Sequence, residues 1–66
     1  MELKIKHTSE RNGYRIQVAE YTYKGSIRYS ARIVNLTTGA DEETPGWSSY
    51  SATLEVAQQT ADEAKI

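Results

Sequence analysis

Leu3-Lys4-Ile5-Lys6-His7 alternates apolar and polar side chains, and a period of two predicts a short first strand with one buried face. Glu10-Arg11-Asn12-Gly13 follows as a turn, because Asn-Gly tolerates positive φ at low cost. Tyr14 to Tyr23 is rich in β-branched and aromatic residues and predicts a long second strand. Its alternation puts Tyr14, Ile16 and Val18 on one face and Arg15, Gln17, Ala19, Tyr21 and Tyr23 on the other. After a turn at Lys24-Gly25-Ser26, Ile27 to Leu36 predicts a third strand. Ile27, Tyr29, Ala31 and Ile33 share one side of it; Arg28, Ser30, Arg32 and Val34 share the other. Thr37-Thr38-Gly39-Ala40 closes the next hairpin, and Asp41 to Thr44 reads as a short charged edge strand, since charge on an edge discourages unwanted pairing. Pro45-Gly46 breaks it, and Trp47 restarts a brief extended stretch.

From Ala52 to Lys65 the period changes. Leu54, Ala57, Ala61 and Ala64 or Lys65 recur at helical spacing and form one narrow apolar stripe, with Ser51 as the expected N-cap and Val56 off the stripe. The expected fold is therefore α+β, a three- to four-stranded antiparallel sheet with one C-terminal helix packed on one face. The expected core is Leu3, Ile5, Tyr14, Ile16, Val18, Ile27, Tyr29, Ile33, Leu54, Ala57 and Ala61. One helix covers one sheet face, so the other face is expected to be bare.

The chain has 66 residues, enough for one domain only. A domain of about that size buries only roughly 60% of the surface its unfolded chain exposes, so marginal stability is expected unless it dimerises or docks. No cysteine is present, which excludes disulfides and metal thiolates, and a single histidine cannot build a metal site. Neither cofactor nor metal is expected. The stretch Met1 to Lys6 lacks the hydrophobic centre of a signal peptide, and no apolar run suits a membrane span; a cytoplasmic protein is expected. Net charge is −1, but residues 1–32 carry seven Lys or Arg against three acids, while residues 33–66 carry one lysine against six acids. A basic sheet beside an acidic helix explains that asymmetry; recognition by two oppositely charged faces is the other reading.

Catalytic chemistry has little to build on. His7 is the only general base of ordinary pKa near neutrality, has no carboxylate neighbour in sequence, and reads as an exposed strand-end residue. Asp41, Glu42 and Glu43 are adjacent on a strand, so their side chains diverge and make a poor metal cage. No glycine-rich phosphate loop occurs. The bare face is more informative, because Arg15, Tyr21, Tyr23, Arg28 and Arg32 share it. Tyr and Arg anchor protein interfaces, stack nucleic-acid bases, and also suit an ordinary solvated strand. Trp47 reads either as a cap where helix meets sheet or as a further anchor.

Two resemblances bear on function. The run Pro45-Gly46-Trp47-Ser48-Ser49-Tyr50-Ser51-Ala52-Thr53-Leu54-Glu55-Val56-Ala57 resembles the strand-to-helix passage of HicB-type antitoxins. The hairpin Gly25-Ser26-Ile27-Arg28-Tyr29-Ser30-Ala31-Arg32-Ile33-Val34-Asn35, the Gly39 turn and the closing helix resemble small phage-encoded inhibitors, anti-CRISPR proteins among them. The second resemblance implies a protein that works by occupying a large host complex. The expected function is thus a non-enzymatic binding protein that inhibits or regulates a larger protein. Arg15, Tyr21, Tyr23, Arg28, Arg32 and Trp47 are its candidate anchors, and Asp41, Glu42 and Glu43 are expected to meet a basic surface. The alternatives are a single-strand nucleic-acid binder using the same face, disfavoured by the acidic second half, and a self-associating module in which two bare faces pair as a homodimer.

Overall fold

The first two hairpins turn on paired residues of positive φ: Asn12 (53°) with Gly13 (82°), and Lys24 (51°) with Gly25 (78°). Two such residues match the right-handed twist of the flanking strands, so each turn is tight and sets its register. The computed structural model describes residues 3–66. Met1 and Glu2, at the head of the stretch considered above as a leader, lie outside the described residues. Strands β1 (Lys4–Arg11), β2 (Tyr14–Tyr23), β3 (Ser26–Asn35) and β4 (Asp41–Glu43) form one antiparallel sheet in chain order, followed by helix α1 (Tyr50–Asp62).

The register aligns one apolar layer. Ile16 stands opposite Ile33, Val18 opposite Ala31, and Tyr14 opposite Asn35. These side chains face α1, where Ala57 and Ala61 are buried against Tyr14, Ile16, Val18, Ala31 and Ile33. Alanine at both positions lets the helix lie close to the sheet. Thr53 is also fully buried, and its hydroxyl donates to the Ser49 carbonyl oxygen at 2.8 Å, so no polar atom is orphaned there. Tyr29, Tyr50, Leu54 and Ile66 close the fringe, with Tyr29 and Tyr50 meeting edge to face at 5.7 Å.

The helix starts beside Tyr29 and ends over the first hairpin turn. There Asn12 Nδ2 donates to the Ala61 carbonyl oxygen (2.8 Å), Arg11 Nε to Asp62 (2.6 Å), and the Tyr14 hydroxyl and Asn35 Nδ2 both to the Ile66 main-chain oxygen. A 13-residue helix spans about 20 Å, whereas ten-residue strands span about 33 Å. The helix cannot cover the whole sheet.

Several expectations change. The register slips between Ile5 and His7, so Ile5 stands opposite Ala19 while His7 stands opposite Val18. A one-residue bulge reverses the faces beyond it. Leu3 (63% exposed) and Ile5 (55%) therefore lie outside the expected core. Ile27 is on the expected side of β3 but is exposed, because it lies past the helix end. Strand β1 runs on to Arg11, and His7 is half-buried within it rather than exposed at its end, with Nε2 2.8 Å from Ser9 Oγ. The N-cap is Ser49, not Ser51: its side chain accepts from the Ala52 N–H at 3.1 Å, and the helix begins at Tyr50.

Candidate binding surface

The side of the sheet away from α1 carries rows of cross-strand neighbours. One row runs Glu10, Arg15, Val34, Asp41; the next runs Thr8, Gln17, Arg32, Glu43; further along, Tyr21 stands opposite Arg28 and Tyr23 opposite Ser26. The helix contacts that complete the core are made on the other side, and the β4–α1 connection touches this face at Gly46, against Tyr21 and Arg28.

Arg15, Tyr21, Tyr23, Arg28 and Arg32 thus share one face, as the alternation predicts, but their environments differ. Arg32 donates through Nε (2.9 Å) and Nη2 (2.6 Å) to one Asp41 oxygen, and Arg15 lies 3.6 Å from Glu10. Both pairs are solvent-exposed, so they orient side chains more than they stabilise the fold. Among the described residues Arg28 has no such partner. Asp41 and Glu43 lie on the open face, whereas Glu42, opposite the buried Ile33, projects from the helix side. The acidic trio is therefore split. Trp47 also leaves the group: it bridges to Tyr29 by two backbone hydrogen bonds (2.6 and 2.9 Å), and that pairing directs it to the side of Tyr29.

Tyr21, Tyr23, Arg28 and Gly46 line a depression of about 350 Å³. Gly46 is indispensable to it. A Cβ there would lie 1.9 Å from the Tyr21 hydroxyl, so only glycine lets the β4–α1 connection pass beneath that ring. Lys24 Nζ lies 5.4 Å from the Tyr23 ring centroid at the hairpin tip. A second depression, about 230 Å³, lies between Leu3, Ile5, Gln17, Ser30, Arg32 and Glu43. Sequence reasoning missed Gly46, Leu3 and Ile5 as members of this surface; a glycine after proline reads only as a turn, and the bulge that turns Leu3 and Ile5 outward leaves no mark on the alternation.

Neither depression holds an acid and base pair. His7 is bonded to Ser9, and the register places it on the helix side. Among the described residues no group of three or more His, Asp or Glu is placed to hold a metal ion, and no helix is long and apolar enough to cross a membrane. Tyr29 has a perturbed pKa: desolvation raises it, and the hydrogen bond from its hydroxyl to Glu20 (3.2 Å) and that carboxylate's charge raise it further. Comparisons with protein-family models, with curated proteins and with solved structures find no match.

Proposed function

We propose that this is a non-enzymatic binding protein that inhibits or regulates a larger protein complex by occupying part of its surface. The observation that carries this reading is the uncovered sheet face, with Tyr21, Tyr23 and Arg28 gathered around Gly46. Tyrosine and arginine are the side chains that most often supply the energy of an interface. A standard interface takes about 800 Å² from each partner, about a fifth of the 4299 Å² that the whole chain exposes. Asp41 and Glu43 border the same face and steer it toward a complementary surface; Glu42 and Trp47 are not part of it. In its most specific form, carried by the resemblance of the second hairpin and closing helix, the protein is a phage-encoded inhibitor of the anti-CRISPR type acting in the bacterial cytoplasm.

The test is a comparison of captured proteins. Tagged wild type and the triple variant Tyr21→Ala, Tyr23→Ala, Arg28→Ala are used to pull down bacterial lysate, with Val56→Ala on the outer helix surface as control. A partner retained by the control and lost by the triple variant supports the reading. A partner held equally by all three rejects this face. Plasmid interference by bacterial RNA-guided nucleases, measured with and without the protein, tests the specific form.

A further inference from the structure

Among the described residues the sheet narrows to two strands beyond the rung Glu20–Tyr29. The last β1 pair is Lys4 with Glu20, and the bridge from Trp47 ends at Tyr29, where α1 also begins. Three rungs remain: Tyr21 with Arg28, Thr22 with Ile27, and Tyr23 with Ser26. Residues 21–28 thus form an arm at one end of a molecule 37 Å long and only 19 by 16 Å across. At its root Gly46 lies against Tyr21 and Arg28, which are half-buried; toward the tip, among the described residues, each face presents apolar surface, with Tyr23 49% exposed on one side and Ile27 49% on the other.

The cations are partitioned along the same axis. Arg11, Arg15, Arg32 and Lys65 are each ion-paired. The remaining four, Lys4, Lys6, Lys24 and Arg28, have no carboxylate within ion-pair distance among the described residues. Lys24 and Arg28 belong to the arm, and Lys4 lines a depression with Thr22 and Ile27 at its base. Among the described residues Glu20 is the carboxylate that lines this depression, and it accepts from Tyr29.

We infer that the arm enters an acidic-walled cleft of the partner protein and is gripped on both faces; this rests on the reading of the chain as a binding protein. A flat partner would bury Tyr23 and leave Ile27 in water, whereas a cleft buries both. Three rungs reach about 10 Å into it. Unpaired Lys4, Lys24 and Arg28 gain from carboxylates on the walls and from the faster association that opposite charge brings. The exposed aliphatic side chains Ile27 and Leu3 favour protein over a nucleic-acid strand, because they gain nothing from phosphate and gain from leaving water against apolar side chains.

The test places a photoreactive benzoylphenylalanine singly at Tyr23, Ile27, Gln17 and Val56 of the full chain in bacterial lysate. Far-UV circular dichroism confirms that each variant folds. The expected result is one crosslinked protein of the same mass from Tyr23 and from Ile27, and none from Val56. The double variant Lys24→Glu, Arg28→Glu should lower that yield about tenfold or more. Crosslinks from Tyr23 and Gln17 but not Ile27 overturn the cleft and leave the binding reading standing. An unchanged yield after charge reversal overturns the acidic walls. A crosslinked species destroyed by nuclease overturns the protein partner in favour of nucleic acid. Absence of any crosslink at all four positions rejects the binding reading and the cleft together.

Discussion

Ile27 and Ile33 lie on one strand and on one side of the sheet, yet Ile33 is 1% exposed and Ile27 49%. Replacing each by alanine removes the same three carbons, so only the surroundings differ. For Ile33 the lost transfer energy is about 2.4 kcal/mol, taking about 0.8 kcal/mol per carbon. The cavity left opposite Ile16 brings the total to about 2–5 kcal/mol. Ile27 already has half its surface in water and leaves no enclosed cavity, so its loss is about 1 kcal/mol or less. A chain of 66 residues holds only about 3–10 kcal/mol in all, so Ile33→Ala brings it near the limit of folding. In urea the slope for so small a domain is about 1 kcal/mol per molar, and the two midpoints should differ by about 2 M. Trp47 fluorescence and far-UV circular dichroism both report the transition. Coincident midpoints would show Ile27 to be as enclosed as Ile33, and the uncovered arm would be a misreading.

Gly46→Ala should change stability by less than about 1 kcal/mol, since its φ is not positive and Tyr21 can swing aside; partner binding should nonetheless fall with the loss of the Tyr21 seat, and calorimetric affinity that is unaltered would remove Tyr21 from the interface. Ser49→Ala should cost about 1 kcal/mol of stability in a thermal melt and Ser51→Ala only a few tenths, because Ser49 caps the helix; the reverse order would restore Ser51 as the cap. The raised Tyr29 pKa means that the folded state holds this proton more tightly than the unfolded chain does. Its contribution is complete below the usual tyrosine value near 10 and disappears as pH climbs through the folded value. Absorbance at 295 nm should therefore show a late-titrating phenol that Tyr29→Phe removes; no difference between the two titrations would refute the raised Tyr29 pKa.

The faces of β2 and β3 were legible in the sequence because ten-residue strands without a bulge keep strict alternation. Strand β1 has the same alternation around Leu3 and Ile5, but one extra residue near Lys6 turns both outward, and no local residue type announces it. Ile27 failed for a different reason: its face was right, but the length of α1 decides its burial, and that is a tertiary fact. Ala31 and Thr53 went unrecognised as core because small and polar side chains do not stand out in a hydrophobic pattern, although close packing needs one and the Ser49 carbonyl satisfies the other. Ser51 was expected as the cap, but Ser49 holds that place and Tyr50, whose ring meets Tyr29 edge to face, opens the helix. Of the candidate site, the Tyr and Arg members were readable by parity, as was the divergence of Glu42 from Asp41 and Glu43; for Trp47 the sequence left a cap and an anchor open, and its pairing to β3 puts it on the helix side.

Residues 21–28 have little share in the enclosed packing, so substitutions there cost little of what holds the chain together. Selection can rewrite this tip for a new target while Ile16, Val18, Ile33, Ala57 and Ala61 stay unchanged. Relatives of this chain should therefore diverge fastest at Tyr23, Lys24 and Ile27 and keep their architecture. Gly25 and Gly46 are the exceptions, since one sets the turn and the other makes room for a neighbouring ring.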